Sequence, residues 1–269
     1  MFEPGPPSKA VFVSASGEVE LLLNEQSKTS VDVRLSIQPL AAAIPGGWSL
    51  TLEDNNPLAD LEAHPDKSGS LIDLGEKPIE QWTSLMGEAF ALIERFIPEI
   101  SDEMRLLLGG VVPVGYDEHR HLSASYLEAI GLVYLTLHPN VMTLVEALIH
   151  EFQHNKLNVL LGLDPLLENG ELPLFSSPVR PDPRPLRGVL LAVHAFHPIV
   201  VMYERMIAAN DSKLPVAWIQ RRIREVAKVC HEGCEVLLPN AKATTHGRIL
   251  LDEITALDER FMPYVDQEE

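Results

Sequence analysis

One stretch of the chain, residues 141–154, combines an almost continuous apolar run with the motif His-Glu-x-x-His. Its pattern predicts a helix, and Asn140 before it is a suitable N-cap. Four residues are just over one helical turn, so His150 and His154 project from the same helix face. Because the preceding residues are apolar on nearly every face, this helix is expected to be buried at the centre of the fold.

This arrangement of side chains predicts a metal site. Two imidazoles one turn apart can bind one metal ion, with Glu151 beside them. Buried histidines and a buried carboxylate are costly unless they are satisfied, and a metal ion would satisfy them. A chance match to a short motif is the alternative, and the buried context makes it the weaker interpretation.

Composition narrows the classes of partner. The 269 residues are 46% hydrophobic, which is enough for a substantial core, and no apolar run is expected to span a membrane. The net charge of −18 argues against nucleic acid and acidic lipid as partners. No secretory signal is visible at the start, and two cysteines cannot form a disulfide framework. A cytoplasmic protein is therefore expected, with no membrane partner, and nothing in the sequence specifies an oligomeric state.

Hydrophobic periodicity predicts an α+β fold. Residues 1–70 form a β-rich N-terminal portion with strands at 11–13, 19–23, 31–37 and 48–52. Residues 71–269 form a mainly helical domain packed with it, including helices at 79–96, 186–206 and 249–261 and two strands at 111–114 and 131–137. Cys230 and Cys234 lie on the apolar face of a further helix, where they are expected to be small buried hydrophobic residues.

A proline-rich segment, residues 177–185, follows the motif helix. Proline fixes φ and removes backbone donors, so the segment is predicted to be stiff and extended. Arg180 and Arg184 then present guanidinium groups suited to binding a carboxylate, and Asp182 is placed to orient one of them. A solvated linker is the alternative interpretation.

The next predicted helix carries His194 and His197. A histidine in an apolar segment is usually a satisfied core residue, but His150 and His154 need a third protein ligand. One chemistry open at this point is a zinc metallopeptidase, with Glu151 as the general base on a zinc-bound water. Its third ligand would come from downstream, where Glu168 and Glu171 lie in a loop-like segment.

Three segments carry a resemblance to a known family. They are 150–157 (HEFQHNKL), 177–186 (SPVRPDPRPL) and 188–196 (GVLLAVHAF). Together they resemble the His-Glu-x-x-His family of peptide β-hydroxylases, which accompany ribosomally made, post-translationally modified peptides and use iron(II) and 2-oxoglutarate. The similarity runs from about residue 55 to about residue 205.

The resemblance implies a ligand set and a reaction. Iron(II) would be held by His150, His154 and His194, with His197 as the alternative third ligand. 2-Oxoglutarate would chelate the same metal, Arg180 or Arg184 would hold its distal carboxylate, and dioxygen would be the oxidant. The β-carbon of a residue in a precursor peptide would be hydroxylated.

The two hypotheses differ over Glu151 and the arginines. Glu151 is the catalytic base of a peptidase, whereas in a hydroxylase it would orient a ligand or the substrate. A peptidase has no need of the arginine pair, which favours the hydroxylase. Because all the proposed ligands lie on helices, we expect a mainly helical core around the motif helix and not the double-stranded β-helix of most 2-oxoglutarate oxygenases.

Overall fold

The computed structural model describes residues 10–13, 19–22, 41–54, 56, 58, 72–177 and 180–266. The chain separates into two compact units, Met1–Gln38 and Pro39–Glu269. In the first unit, strands β1 (Ala10–Val13) and β2 (Val19–Leu22) pair antiparallel. The strand predicted at 31–37 lies outside the described residues.

The second unit combines helices with a mixed sheet, so the fold is α+β. Its described helices are α1 (Ile79–Phe96), α2 (Pro98–Leu107), α3 (Val141–Leu163), α4 (Leu186–Ala208), α5 (Val216–Asn240) and α6 (Thr245–Val265). Its strands are β3 (Ala41–Ile44), β4 (Trp48–Thr51), β5 (Gly110–Tyr116), β6 (Ser123–Ala124), β7 (Leu132–Leu137), β8 (Leu174–Ser177) and β9 (Arg180–Pro185).

Five strands form one open sheet in the order β3-β4-β5-β7-β6. The inner pairs β4/β5 and β5/β7 are parallel and the outer pairs are antiparallel. No closed barrel occurs among the strands that the structure describes. The predicted boundary at residue 70 falls inside the second unit, because strands from both sides of it belong to this sheet.

The two faces of the sheet bury different residues, following the period of two along each strand. Val111 and Val133 belong to the main core, which they share with α1, α3, α4 and α5. Val112 and Tyr134 belong to a smaller cluster on the other face, with Ala129. The helices therefore cover one face, and α3 lies against the sheet there.

A connection of three residues separates the end of β7 from the start of helix α3. The Asn140 side chain accepts a hydrogen bond from the Met142 N–H (3.0 Å), which confirms the predicted N-cap. Satisfying this amide fixes the first turn of the helix. The motif histidines therefore follow the sheet directly and lie inside the fold.

The Asn155 side chain makes three hydrogen bonds, two of which join α3 to the sheet region. Its side-chain oxygen accepts from the Gly131 N–H (2.7 Å), and its amide nitrogen donates to the Leu132 carbonyl (3.1 Å) and to the Glu151 carbonyl (3.0 Å). Asn155 is only 1% exposed. Buried polar bonds of this kind fix the rotation of α3 about its axis, and with it the direction of the histidine face.

Helix α4 lies at the centre of the helical layer. Within the described residues it is the one helix long and apolar enough to cross a membrane, and 61% of the qualifying window is buried against the rest of the fold. Core helices of soluble proteins have the same length and composition, so this is weak evidence for a membrane span. On α5, Cys230 and Cys234 are 0% and 1% exposed, which confirms them as buried residues.

The Asn155 contacts give the first prediction. We expect Asn155→Ala to lower the free energy of unfolding by about 2 to 4 kcal/mol, because the Gly131 N–H and the Leu132 carbonyl lose their buried partner. Urea denaturation measures the change. Asn158→Ala, at a half-buried position one turn further along α3, is the control and should change stability by no more than about 0.5 kcal/mol. Equal effects of the two variants would contradict the role assigned to Asn155.

Candidate metal centre

The two motif histidines converge on α3. Their Nε2 atoms lie 2.9 Å apart and their ring centroids 4.4 Å apart, at an interplanar angle of 82°. The Phe196 ring packs against His150 with a centroid distance of 4.7 Å. The two Nε2 atoms are thus within hydrogen-bond distance of each other, as expected for residues one turn apart.

This spacing fits two ligands of one metal ion. An ion about 2.1 Å from both nitrogens would see them at an angle of about 90°, whereas tetrahedral ligation needs them about 3.4 Å apart. Burial lowers the pKa of His154 to about 4, so its imidazole is neutral and has a lone pair for a metal at neutral pH.

The histidine pair and Arg184 line one pocket, of about 210 Å³. The remaining lining residues are Ser177, Gly188, Leu191 and Ala192. Arg184 is oriented by its neighbour on β9, because its Nε lies 3.0 Å from Asp182 Oδ2. The structure thus brings three of the predicted site residues together, and Asp182 orients an arginine as the sequence indicated.

Two other predicted residues are placed differently. Arg180 begins β9, whose extended backbone agrees with the proline-rich sequence, and its side chain lies outside the described part of the structure. His194 lines a separate cavity together with His197 and Gln153. Within the described residues, no group of three His, Cys, Asp or Glu side chains is close enough to hold a metal ion.

His194 is nevertheless near the motif pair. Burial lowers its pKa to about 3, and the Lys156, His197 and His154 side chains contribute to that shift. The α4 residues that line the pocket of His150 and His154 are Gly188, Leu191 and Ala192, none of which can bind a metal through its side chain. A third ligand from α4 therefore requires the His194 ring to turn out of its own cavity.

Glu151 is held by two serines. Its Oε1 accepts a hydrogen bond from Ser123 Oγ (2.7 Å), and its Oε2 accepts one from Ser125 Oγ (2.8 Å). The residue is 4% exposed. Glu151 follows His150 and therefore projects about 100° further around the helix. Its carboxylate joins α3 to β6 and to the residue after β6.

Sequence reasoning missed this serine clamp. Ser123 and Ser125 are two residues apart in an extended segment, so their side chains lie on the same side. The spacing of the two serines is visible in the sequence. Their partner Glu151, however, lies 26 and 28 residues away, and no local pattern identifies it. Glu151 is therefore satisfied by hydrogen bonds in the absence of any metal.

A second pocket of about 340 Å³ opens on another side of His150. It is also lined by His121, whose buried Nε2 has no hydrogen-bond partner among the described residues. Glu146 lines it one turn before His150 and receives two hydrogen bonds from Arg222, of 2.8 and 2.7 Å. Burial lowers the pKa of His121 to about 4. His150 thus lies between the pocket that contains Arg184 and this second pocket, in which Arg222 already pairs with the Glu146 carboxylate.

Comparison with known proteins adds no family. A scan against protein-family models finds no match to the chain, and neither does a search of curated proteins. The assignment of chemistry therefore depends on the geometry of these pockets and on the resemblance of the three segments described above.

The environment of Glu151 gives the second prediction. Burial raises its pKa above the ordinary 4.5, against the lowering effect of Ser123 and Ser125. Protonation is therefore easier in the folded chain than in the unfolded chain, so this contribution to stability is fully present below pH 4.5 and is lost as the pH rises through the raised pKa. We expect Glu151→Gln to become more stable relative to the natural protein as the pH increases, by up to about 1.4 kcal/mol per pH unit.

Urea denaturation of both proteins from about pH 4 to about pH 8 measures this difference. Subtracting one free energy of unfolding from the other at each pH cancels the contributions of the other titrating groups. A difference that does not change with pH would show that burial does not raise the pKa of Glu151.

Proposed function

We propose that this chain is an iron(II)- and 2-oxoglutarate-dependent oxygenase that hydroxylates the β-carbon of a residue in a ribosomally made precursor peptide. The observation that carries the proposal is the pocket that joins the converging His150 and His154 nitrogens to Arg184. The resemblance of the surrounding sequence to peptide β-hydroxylases supplies the reaction.

The pocket is suited to an anion in an otherwise acidic protein. Among the described lining residues only Arg184 is charged, and it is paired with Asp182 on β9, in a chain whose net charge is −18. Gly188 lies in the first turn of α4, where backbone N–H groups and the helix dipole favour negative charge. A dicarboxylate such as 2-oxoglutarate could therefore place one end on Arg184 while the other end approaches the histidine pair.

In this proposal His150 and His154 would hold the metal through Nε2, and 2-oxoglutarate and dioxygen would be its other partners. Bound iron(II) supplies the oxidative chemistry that decarboxylates 2-oxoglutarate to succinate and hydroxylates the peptide. Arg184 fixes the co-substrate, and Asp182 orients the guanidinium. Glu151 acts indirectly and does not itself bind the metal. Its bonds to Ser123 and Ser125 hold the helix that carries both ligands.

The zinc peptidase is less well supported by the position of Glu151. A general base must reach the metal-bound water within hydrogen-bond distance. Both carboxylate oxygens of Glu151 instead accept hydrogen bonds from serines of the sheet region. Arg184 in the histidine pocket is also unnecessary for peptide hydrolysis.

The second pocket at His150 is the proposed entrance for the peptide. It adjoins the same histidine, yet it contains none of the lining residues of the Arg184 pocket other than His150. Glu146 there is neutralised by Arg222, so the pocket imposes no strong demand on the charge of the incoming residue. Peptide and co-substrate would then approach the metal from different sides.

The proposal is tested first by titrating the anaerobic protein with iron(II) and then adding 2-oxoglutarate. We expect a weak metal-to-ligand charge-transfer band in the visible spectrum, absent in His150→Ala. Arg184→Gln should weaken the affinity for 2-oxoglutarate roughly 10- to 100-fold, because two charge-assisted hydrogen bonds are lost. Arg187→Gln is the matched control, since Arg187 pairs with Glu171 outside this pocket and should leave the affinity unchanged.

Three results would overturn it. The first is no charge-transfer band together with tightly retained zinc and cleavage of peptide bonds, which would indicate the peptidase. The second is an equal effect of Arg184→Gln and Arg187→Gln. The third is peptide hydroxylation that proceeds without 2-oxoglutarate in a purified assay.

The third ligand is tested separately. If His194 binds the metal, His194→Ala should weaken iron(II) binding as much as His154→Ala does. Because Leu191 and not His194 lines the pocket, we expect His194→Ala to change iron(II) affinity less than about twofold. Leu191→His should instead strengthen it at least about tenfold by adding an imidazole. Equilibrium competition against a coloured chelator measures all three affinities, and the opposite order would identify His194 as the third ligand.

A further inference from the structure

The hairpin formed by β8 and β9 has two different edges. Leu174 pairs with Pro185, and Phe175 pairs with Arg184. Proline has no N–H, so Leu174 and Pro185 form a pair without mutual hydrogen bonds, and the backbone groups of Phe175 face β9. Backbone direction alternates along a strand, so the N–H and C=O groups of Leu174 and Ser176 face away from β9.

The outer edge of β8 is open to another chain. Leu174 is 53% exposed, and Ser176 is also exposed. In the part of the chain that the structure describes, no backbone hydrogen bond from outside the hairpin reaches either residue. The outer edge of β9 is different, because Pro183 and Pro185 flank Arg184 there and offer no N–H. An unpaired edge that presents both donors and acceptors is a template for an extended peptide, and in this hairpin β8 provides it.

The open edge lies between two pockets. Ser177, the last residue of β8, lines the pocket of His150 and His154. Leu172, two residues before β8 begins, lines a separate cavity of about 490 Å³. A segment paired with β8 would therefore extend from this cavity toward the histidine pocket.

The cavity at Leu172 favours a basic side chain with an aliphatic stem. Its apolar lining includes Leu161 and Leu172, of which Leu172 is 71% exposed. Two carboxylates also line it, and Arg187 Nε neutralises that of Glu171 at 2.9 Å. The exposed Glu168 carboxylate has no ion pair or hydrogen bond among the described residues. A lysine or arginine could lay its stem along the leucines and place its charge at Glu168.

We propose that the outer edge of β8 binds an extended, basic segment of a peptide by main-chain pairing. The backbone groups of Leu174 and Ser176 bond the segment, and the cavity at Leu172 takes one lysine or arginine side chain from it. The net charge of −18 attracts a basic segment and repels an acidic one.

This role rests on the proposed function, because the peptide would be the substrate of the oxygenase. The segment on β8 recognises the peptide, whereas the residue to be hydroxylated enters through the pocket that contains Glu146. Both routes meet at His150, which lines that pocket and also the pocket reached from Ser177. The pairing itself needs no metal, so it can be measured on the iron-free protein.

Fluorescence anisotropy of a labelled peptide tests the pairing on the full chain without iron. The probe is a hexapeptide of alternating lysine and valine, and its counterpart has the same side chains with every backbone nitrogen methylated. We expect saturable binding of the probe and at least roughly tenfold weaker binding of the methylated peptide, because it cannot donate to the Leu174 and Ser176 carbonyls. A hexapeptide of alternating glutamate and valine should also bind at least roughly tenfold more weakly.

Substitutions at β8 and in the cavity test the position of the peptide. Ser176→Pro removes an outward N–H and leaves the bonds to β9 in place, so it should weaken probe binding at least roughly fivefold. Ser176→Ala keeps that N–H and should change the affinity less than about twofold. Glu168→Gln should weaken binding roughly threefold, whereas Glu88→Gln, at an exposed carboxylate of α1 outside the cavity, should not.

The opposite results overturn the role of β8. Equal affinities for the probe and its methylated counterpart would show that no main-chain pairing occurs. Probe binding that is unchanged in Ser176→Pro would place the peptide elsewhere on the chain, and the absence of saturable binding would remove the site altogether. Equal binding of the lysine and glutamate peptides would contradict the preference for a basic segment.

The two proposals fail separately. Each of these outcomes leaves the titration with iron(II) and 2-oxoglutarate unaffected, because the peptide is measured without metal. Conversely, a protein that binds the probe at β8 but gives no charge-transfer band would lose the oxygenase assignment and keep the peptide site.

Discussion

The histidine centre depends on buried polar bonds that join α3 to the sheet region. Asn155 bonds the loop before β7 and the first residue of β7, and Glu151 bonds Ser123 and Ser125, through hydrogen bonds that are buried or partly buried. Inside a protein such bonds are electrostatically strong, and breaking one leaves an unpaired buried group. A purely apolar contact would let α3 rotate slightly, whereas these directional bonds do not. The face that carries both imidazoles is therefore set by residues that would never touch a metal ion.

Around this fixed helix, two pockets meet at His150. One contains Arg184, which is paired with Asp182, and lies at the first turn of α4. The other contains Glu146, whose charge Arg222 neutralises. The same histidine is therefore approached from two sides whose charged groups come from different elements of the fold.

Local pattern was enough to predict much of this architecture. The helix at 79–96 is confirmed as α1, the N-cap Asn140 is confirmed, and residues 180–185 are extended as their prolines required. Helix α2 was missed, because Pro98 follows α1 almost directly and resembles a stop signal although it occupies the first turn of a new helix. The serine clamp and the position of Leu191 depend on which helix face meets which neighbour. That is decided by tertiary packing, so spacing within the sequence could not reveal it.

The connection between β7 and α3 is only three residues long, from His138 to Asn140. Each residue of an α-helix turns it by about 100°, so one residue more or less in this connection would turn the motif face by about that angle relative to the sheet. Asn155 would then face away from Gly131, and the histidines would face away from Arg184. Insertions and deletions at this loop, which most surface loops tolerate, would here destroy the geometry of the site without altering any of its side chains.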